Sequence, residues 1–177
     1  MYPYPCCNQL LCCRRAWYNA TKIVREIFMT VWIDADACPV VDIAIALCMQ
    51  YGVACMLVCD TAHVLQKQGA QTLTVDSGAD SVDFVLVNRI VPGDIVITQD
   101  YGLAAMCLAR RAQVLNQNGM VYHTGNIESL LMQRHTAQKI RRGRGRLKGP
   151  PKRTHQQDDA FAQTFESLLS AVSSQKV

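Results

Sequence analysis

From Met29 onward, short apolar runs alternate with segments whose apolar residues recur every three or four positions. The short runs predict strands at Val31 to Ala35, Val53 to Cys59, Gln71 to Val75, Asp94 to Thr98 and Ala112 to Leu115. Between them, Val40 to Tyr51 reads as a largely buried helix, opened by Pro39 at its first turn and closed by Gly52. In Asp80 to Val91, the spacing of Val82, Val85, Leu86, Arg89 and Ile90 predicts a second helix, stopped by Pro92-Gly93. Leu103 to Arg111 is a third, rich in Ala and Leu. Asn118-Gly119 marks a hairpin turn into Met120 to His123, and Asn126 to His135 a further helix. A final amphipathic stretch, Asp158 to Val172, starts with two acids and carries Phe161, Phe165, Leu168, Leu169 and Val172 on one side. The alternation is that of βαβ units, so the expected class is α/β, a Rossmann-like three-layer domain with a mainly parallel sheet. Its expected span is 29–133, followed by a basic Gly/Pro-rich segment, 134–157, and a terminal helix, 158–173.

Half of the residues are hydrophobic, which excludes a disordered chain. The longest apolar run, Ile43 to Met49, is far shorter than the ~20 residues of a bilayer span. No membrane association and a cytoplasmic location are therefore the expectation. Residues 1–28 have no usable periodicity, and Met29 stands directly before the first strand. Met29 is accordingly expected to be the true start, with 1–28 a non-native or disordered leader. Nine cysteines are present, but none forms a CxxC pair and no Cys/His array has structural-zinc spacing. Cys48, Cys55 and Cys107 lie in apolar segments, where a reduced thiol behaves as a small hydrophobe.

The net charge of +4 conceals a division. Residues 29–133 hold ten acids against four bases, whereas 134–153 hold nine bases and no acid. Mapped onto the predicted elements, Asp34 and Asp36 end the first strand, Asp60 and Asp76 follow the second and third, and Asp100 follows the fourth. Asp80 and Asp83 open the helix that starts at the same edge. In an open parallel sheet that carboxyl edge is where ligands bind. Close carboxylates repel unless a cation intervenes, and an oxygen-only set suits Mg2+ or Mn2+. Taken singly, each Asp is equally a turn former or helix cap; the shared edge is what points to a metal site. Carboxylates around hard cations suit phosphodiester hydrolysis. His63 and His123 are isolated, and the acids around Cys38 disfavour a thiolate there.

The runs IDADACPV, GADSVDFVLVNRIVPGDIVITQDYGLAAMCLARRAQVLNQNG and KIRRGRGRLKGPPKRT closely resemble the YaiI/YqxD family of uncharacterised bacterial proteins, from Met29 to about Leu169. Members of that family look like PIN-type nuclease domains, which gather three or four acids around magnesium or manganese and cut RNA. Carried across, the resemblance implies a PIN-like fold with Asp34, Asp83 and Asp100 as catalytic acids. Asp34, Asp36, Asp83 and Asp100 would be the metal ligands, with Asp80 able to take the role given to Asp83.

The basic segment offers Lys139, Arg141, Arg142, Arg144, Arg146, Lys148, Lys152 and Arg153 as contacts to a nucleic acid, RNA foremost. Interleaved Gly and Pro are expected to keep it extended, and its lack of aromatics argues against base stacking. A basic loop packed on the acidic body is the competing reading. The leading expectation is a metal-dependent nuclease or phosphodiesterase. Its alternatives are a non-catalytic nucleic-acid-binding protein and a haloacid-dehalogenase-type phosphatase drawing on Asp34, Asp36, Thr61, Lys67 and Asp100.

Overall fold

A computed structural model describes residues 29–36, 38–61, 65–76, 81–142 and 152–173. The leader 1–28, His63, Asp80, Arg144, Arg146 and Lys148 lie outside the described residues. Six strands are found: β1 Thr30–Asp34, β2 Ala54–Asp60, β3 Gln71–Val75, β4 Ile95–Ile97, β5 Gln113–Leu115 and β6 Val121–Tyr122. The helices among the described residues are α1 Val41–Tyr51, α2 Ser81–Arg89, α3 Tyr101–Ala109, α4 Thr124–Arg142 and α5 His155–Ser173.

The strands form one sheet in the order β3-β2-β1-β4-β5-β6. All neighbours are parallel except β5 and β6, the hairpin that the Asn118-Gly119 turn predicts. The chain builds outward from β1 to β3, then crosses to the other side of β1 for β4. Strand order therefore reverses between β1 and β4. Parallel crossovers are right-handed, so reversing the direction of travel moves the connecting helices to the opposite face.

Two cores result, one on each face. Val31, Ile33, Leu57, Ile95, Ile97 and Leu115 point toward α1. Trp32, Val58, Val96 and Val114 point toward α2 and α3, where they meet Leu86, Leu103 and Cys107. The period of two along each strand, with both faces apolar, is what a fully covered parallel sheet requires. Helix α1 alone cannot cover its face. Helix α5 returns to complete it, burying Phe161, Phe165 and Leu169, one turn apart on a single stripe. The Tyr51 hydroxyl donates to Glu166 at 2.9 Å, tying α5 to the end of α1. Buried Asp94, at the amino end of β4, accepts from Thr30 N at 2.9 Å, Trp32 Nε1 at 2.9 Å and Val91 N at 3.0 Å. Acid and indole thereby fasten two strands at the edge opposite the acidic rim.

Several expectations need correction. Helix α3 starts at Tyr101, not Leu103, because Asp100 caps it. The helix expected to end at His135 continues to Arg142. The basic segment is therefore not extended throughout: Lys139 and Arg142 sit on α4, and the backbone of Arg141 is helical too. Residues 134–142 contain neither Gly nor Pro, so nothing in them breaks the helix. The terminal helix begins at His155, three residues earlier than its acids suggested. Among the described residues, no helix is long and apolar enough to cross a membrane.

Candidate functional site

Strand parity decides where the acids go. Asp34 follows Trp32 by two residues and so shares its face, the one covered by α2 and α3. Thr98 follows Val96 by two and emerges on the same face. The two meet across the strand-order reversal: the Thr98 hydroxyl donates to Asp34 Oδ2 at 2.7 Å. The same hydroxyl accepts from Asp100 N at 3.0 Å, so one buried threonine holds the tips of β1 and β4 in register. Asp83 stands in the first turn of α2, and Asp100 is the N-cap of α3. Both helices start at this edge on this face.

The cleft there has a volume of about 390 Å³ and is lined by Asp34, Asp36, Gln99, Asp100, Tyr101 and Arg134. Burial raises the Asp34 carboxyl from 3.8 to about 6. The Thr98 hydrogen bond opposes the rise, and the charges of Asp83, Asp36 and Asp100, in that order, add to it. The predicted acids thus act on one another in the folded chain. Asp100 behaves differently. Its partial burial pushes its pKa up, but the Arg134 guanidinium and the amides of Leu103 and Gly102 outweigh that and hold it below the usual value. Its Oδ1 accepts from Gly102 N at 2.6 Å and Leu103 N at 3.2 Å. Its Oδ2 takes Arg134 Nη1 at 2.7 Å. Beside them, Asp36 Oδ1 is buried with no hydrogen-bond partner. Burial pushes the Cys38 thiol up to about 11, which removes it as a nucleophile at neutral pH.

The donor set fits a hard cation, since every acid lining the cleft offers only oxygen and one buried carboxylate oxygen lacks a partner. The fit is of a particular kind. Among the described residues, no three His, Cys, Asp or Glu side chains converge into one coordination group. Magnesium held by one or two carboxylates, with water and phosphate completing its shell, asks for no more than that. Were such a cation bound, Asp34 and Asp36 would be the pair to hold it.

Other sequence candidates have different positions. Asp42 pairs with Lys67 at 2.8 Å, so this lysine does not line the acidic cleft as a phosphatase of the dehalogenase type would need. His123 Nδ1 accepts from Gly125 N at 3.1 Å at the start of α4. Arg153 is committed to packing: it bonds Asp158 at 2.6 Å, Asn118 at 3.0 Å and the Gln117 carbonyl at 2.7 Å, locking the β5–β6 turn onto α5. Sequence reasoning passed over two residues. Thr98 was signalled by the Thr-x-Asp spacing. Arg134 was signalled only by standing at the start of the basic run.

Helices on both faces of a mainly parallel sheet, with an acidic cleft where the strand order reverses, define a three-layer α/β protein of the Rossmann-like class. Within that class, the chain belongs to the YaiI/YqxD family, described as uncharacterized, whose sequence profile matches residues 32–171. It is 56% identical over 142 residues to a "UPF0178 protein" of Exiguobacterium sibiricum, covering 80% of this chain and 97% of the relative. A "UPF0178 protein" of Ruminiclostridium cellulolyticum is 48% identical over 133 residues, covering 75% and 87% of the two chains. One of Clostridium acetobutylicum is 42% identical over 143 residues, covering 80% and 97%. No solved structure gives a significant match.

Proposed function

We propose that the protein is a metal-dependent nuclease or phosphodiesterase acting on nucleic acid, RNA foremost, through its aspartate cluster. The reading rests on one observation above all: Asp34, at the tip of β1, has its pKa raised to about 6 by burial and by the charges of Asp83, neighbouring Asp36 and Asp100. A group so perturbed, beside a buried oxygen with no hydrogen-bond partner in a cleft at the reversal point, supports a reading in which the cleft takes a divalent cation. A divalent cation, once bound, supplies a more acidic water and offsets charge on the phosphate oxygens. The chain's own part is the remainder. Asp34 would give up its proton and, with Asp36, would hold the cation, with Thr98 keeping the Asp34 carboxylate aimed. Asp83 and Asp100 would complete the negative shell or orient a water. Lys139 and Arg142 on α4, with Arg141, Arg144, Arg146, Lys148 and Lys152 of the basic stretch, bind backbone phosphates that the acidic rim would otherwise repel. Arg153, already bonded to Asp158, Asn118 and Gln117, is left out of that set.

The test is cleavage of single-stranded RNA and DNA with Mn2+, Mg2+ or EDTA, by the native chain and by Asp34→Asn and Asp100→Asn. Manganese-dependent cleavage lost in Asp34→Asn is the expected result. A non-catalytic nucleic-acid-binding role is the second reading, favoured by the Arg134 contact that already neutralises Asp100. RNA bound equally well by native and variant chains, and left intact with manganese present, would establish that role instead.

A further inference from the structure

Resting on this reading, we infer that Arg134 is the phosphate-positioning residue of the cleft, parked on Asp100 when the cleft is empty and exchanged onto a substrate phosphate when a divalent cation is bound. The inference begins with α4. Ile127, Leu130 and Leu131 pack its inner face into the α2–α3 core. Arg134 lies three to seven residues further along, on that same face. The apolar stripe of the helix therefore ends in a guanidinium, delivered to the amino end of α3.

That position is unusual for a cation, since the first turn of a helix favours negative charge. Asp100 resolves the conflict by standing between. Its Oδ1 is bonded to Gly102 N and Leu103 N, and its Oδ2 faces Arg134. Among the described residues that line the cleft, Arg134 is also the only base. A cation held by Asp34 and Asp36 in the same cleft repels the guanidinium at Asp100 Oδ2, so loading the cleft weakens the hold of Asp100 on Arg134. The pair is well suited to exchange. Its side chains are 42% and 36% exposed, and ion pairs this open to water are weak. A released guanidinium would still be held at the cleft rim by α4. Its planar fork matches two phosphate oxygens, which a lysine does not. Lys139 and Arg142 are exposed further along the same helix.

Calorimetry of the full chain with Mn2+ near pH 7.5, and binding of an oligouridylate with and without Mn2+ under non-turnover conditions, test the exchange. Arg134→Gln should bind Mn2+ roughly three- to tenfold tighter, having lost a competing positive charge. It should bind the oligonucleotide several-fold more weakly, and only when Mn2+ is present. Arg134→Lys should restore part of the latter. Circular dichroism checks that the exposed substitution leaves the fold intact. Equal Mn2+ affinity in native and Arg134→Gln chains overturns the exchange while leaving the metal reading standing, provided that Asp34→Asn abolishes binding. Oligonucleotide affinity unchanged in Arg134→Gln overturns the phosphate role. No Mn2+ binding by the native chain overturns both this inference and the function on which it rests.

Discussion

Replacing the central acid of the cleft should make the protein more stable. In the folded chain the Asp34 carboxyl titrates near 6 rather than 3.8, chiefly because burial disfavours its charged form. Between about pH 4 and pH 6 the folded state therefore holds a proton that the unfolded state has released, and stability falls as pH rises through that window. Above about pH 6 both states are ionised and the full penalty, ~3 kcal/mol, is in force. Asp34→Asn removes the charge but keeps an oxygen to accept from Thr98, now 2.7 Å away. Part of the gain is offset by the new amide N–H, which needs a partner, so a net ~2 kcal/mol is expected near pH 7.5. For a domain of this size that is a rise in Tm of about 5–8 °C. Near pH 4, where folded Asp34 is protonated, the gain vanishes and the amide cost remains, so the variant should melt at or slightly below the native temperature. The assay is thermal unfolding by circular dichroism in EDTA at both pH values. A variant that melts at or below the native temperature near pH 7.5, or a gain equal at both pH values, would refute the argument that Asp34 is an acid held against its preference.

Three further outcomes follow from the same geometry. Thr98→Val removes the one hydrogen bond that favours ionised Asp34, so the Asp34 midpoint should climb above 6 in a carboxyl-carbon NMR titration; an unmoved midpoint counts against the bridge. Asp94→Ala leaves the Trp32 indole and the amides of Thr30 and Val91 without their acceptor; the urea midpoint should drop by the equivalent of ~3 kcal/mol or more, and a neutral result would contradict the role given to this acid. Gly119 holds a φ of 82°, and a Cβ there would lie 2.5 Å from the Ala160 carbonyl oxygen. Gly119→Ala should therefore cost about 2 kcal/mol and speed amide exchange in the first turns of α5, whereas exchange confined to the β5–β6 turn would mean that α5 accommodates the methyl.

Much of the layering was legible in the sequence because period-two and period-three-to-four patterns report burial directly. Val31-Trp32-Ile33 shows a strand covered on both faces, and Gln71 to Val75 coincides with β3. The placement of Asp34, Asp83 and Asp100 at one edge of the sheet was legible too, because parity and helix starts assign each to it. What local patterns could not show was pairing across distance. Asp94 looked like a strand opener, yet it binds an indole 62 residues away. Arg134 looked like the first of a basic run, yet its partner is 34 residues earlier. The capping reading open to each acid proves right for Asp100, whose cap fixes where α3 begins, two residues before the apolar run suggested. Helix α4 was cut short because residues 134–142 carry little apolar periodicity, even though nothing in them opposes a helix.

The return of α5 to the α1 side has a consequence for how the cation-rich stretch is held. With Phe161, Phe165 and Leu169 wedged beneath the sheet, the chain is anchored after the cation-rich stretch as firmly as before it. A protease that nicked it would yield two pieces still clasped together, and a chain stopped short of α5 would leave Ile95, Ile97 and Leu115 wet. The residues proposed to grip a polyanion are thereby leashed to the very layer that seals the protein, and neither can be discarded without the other.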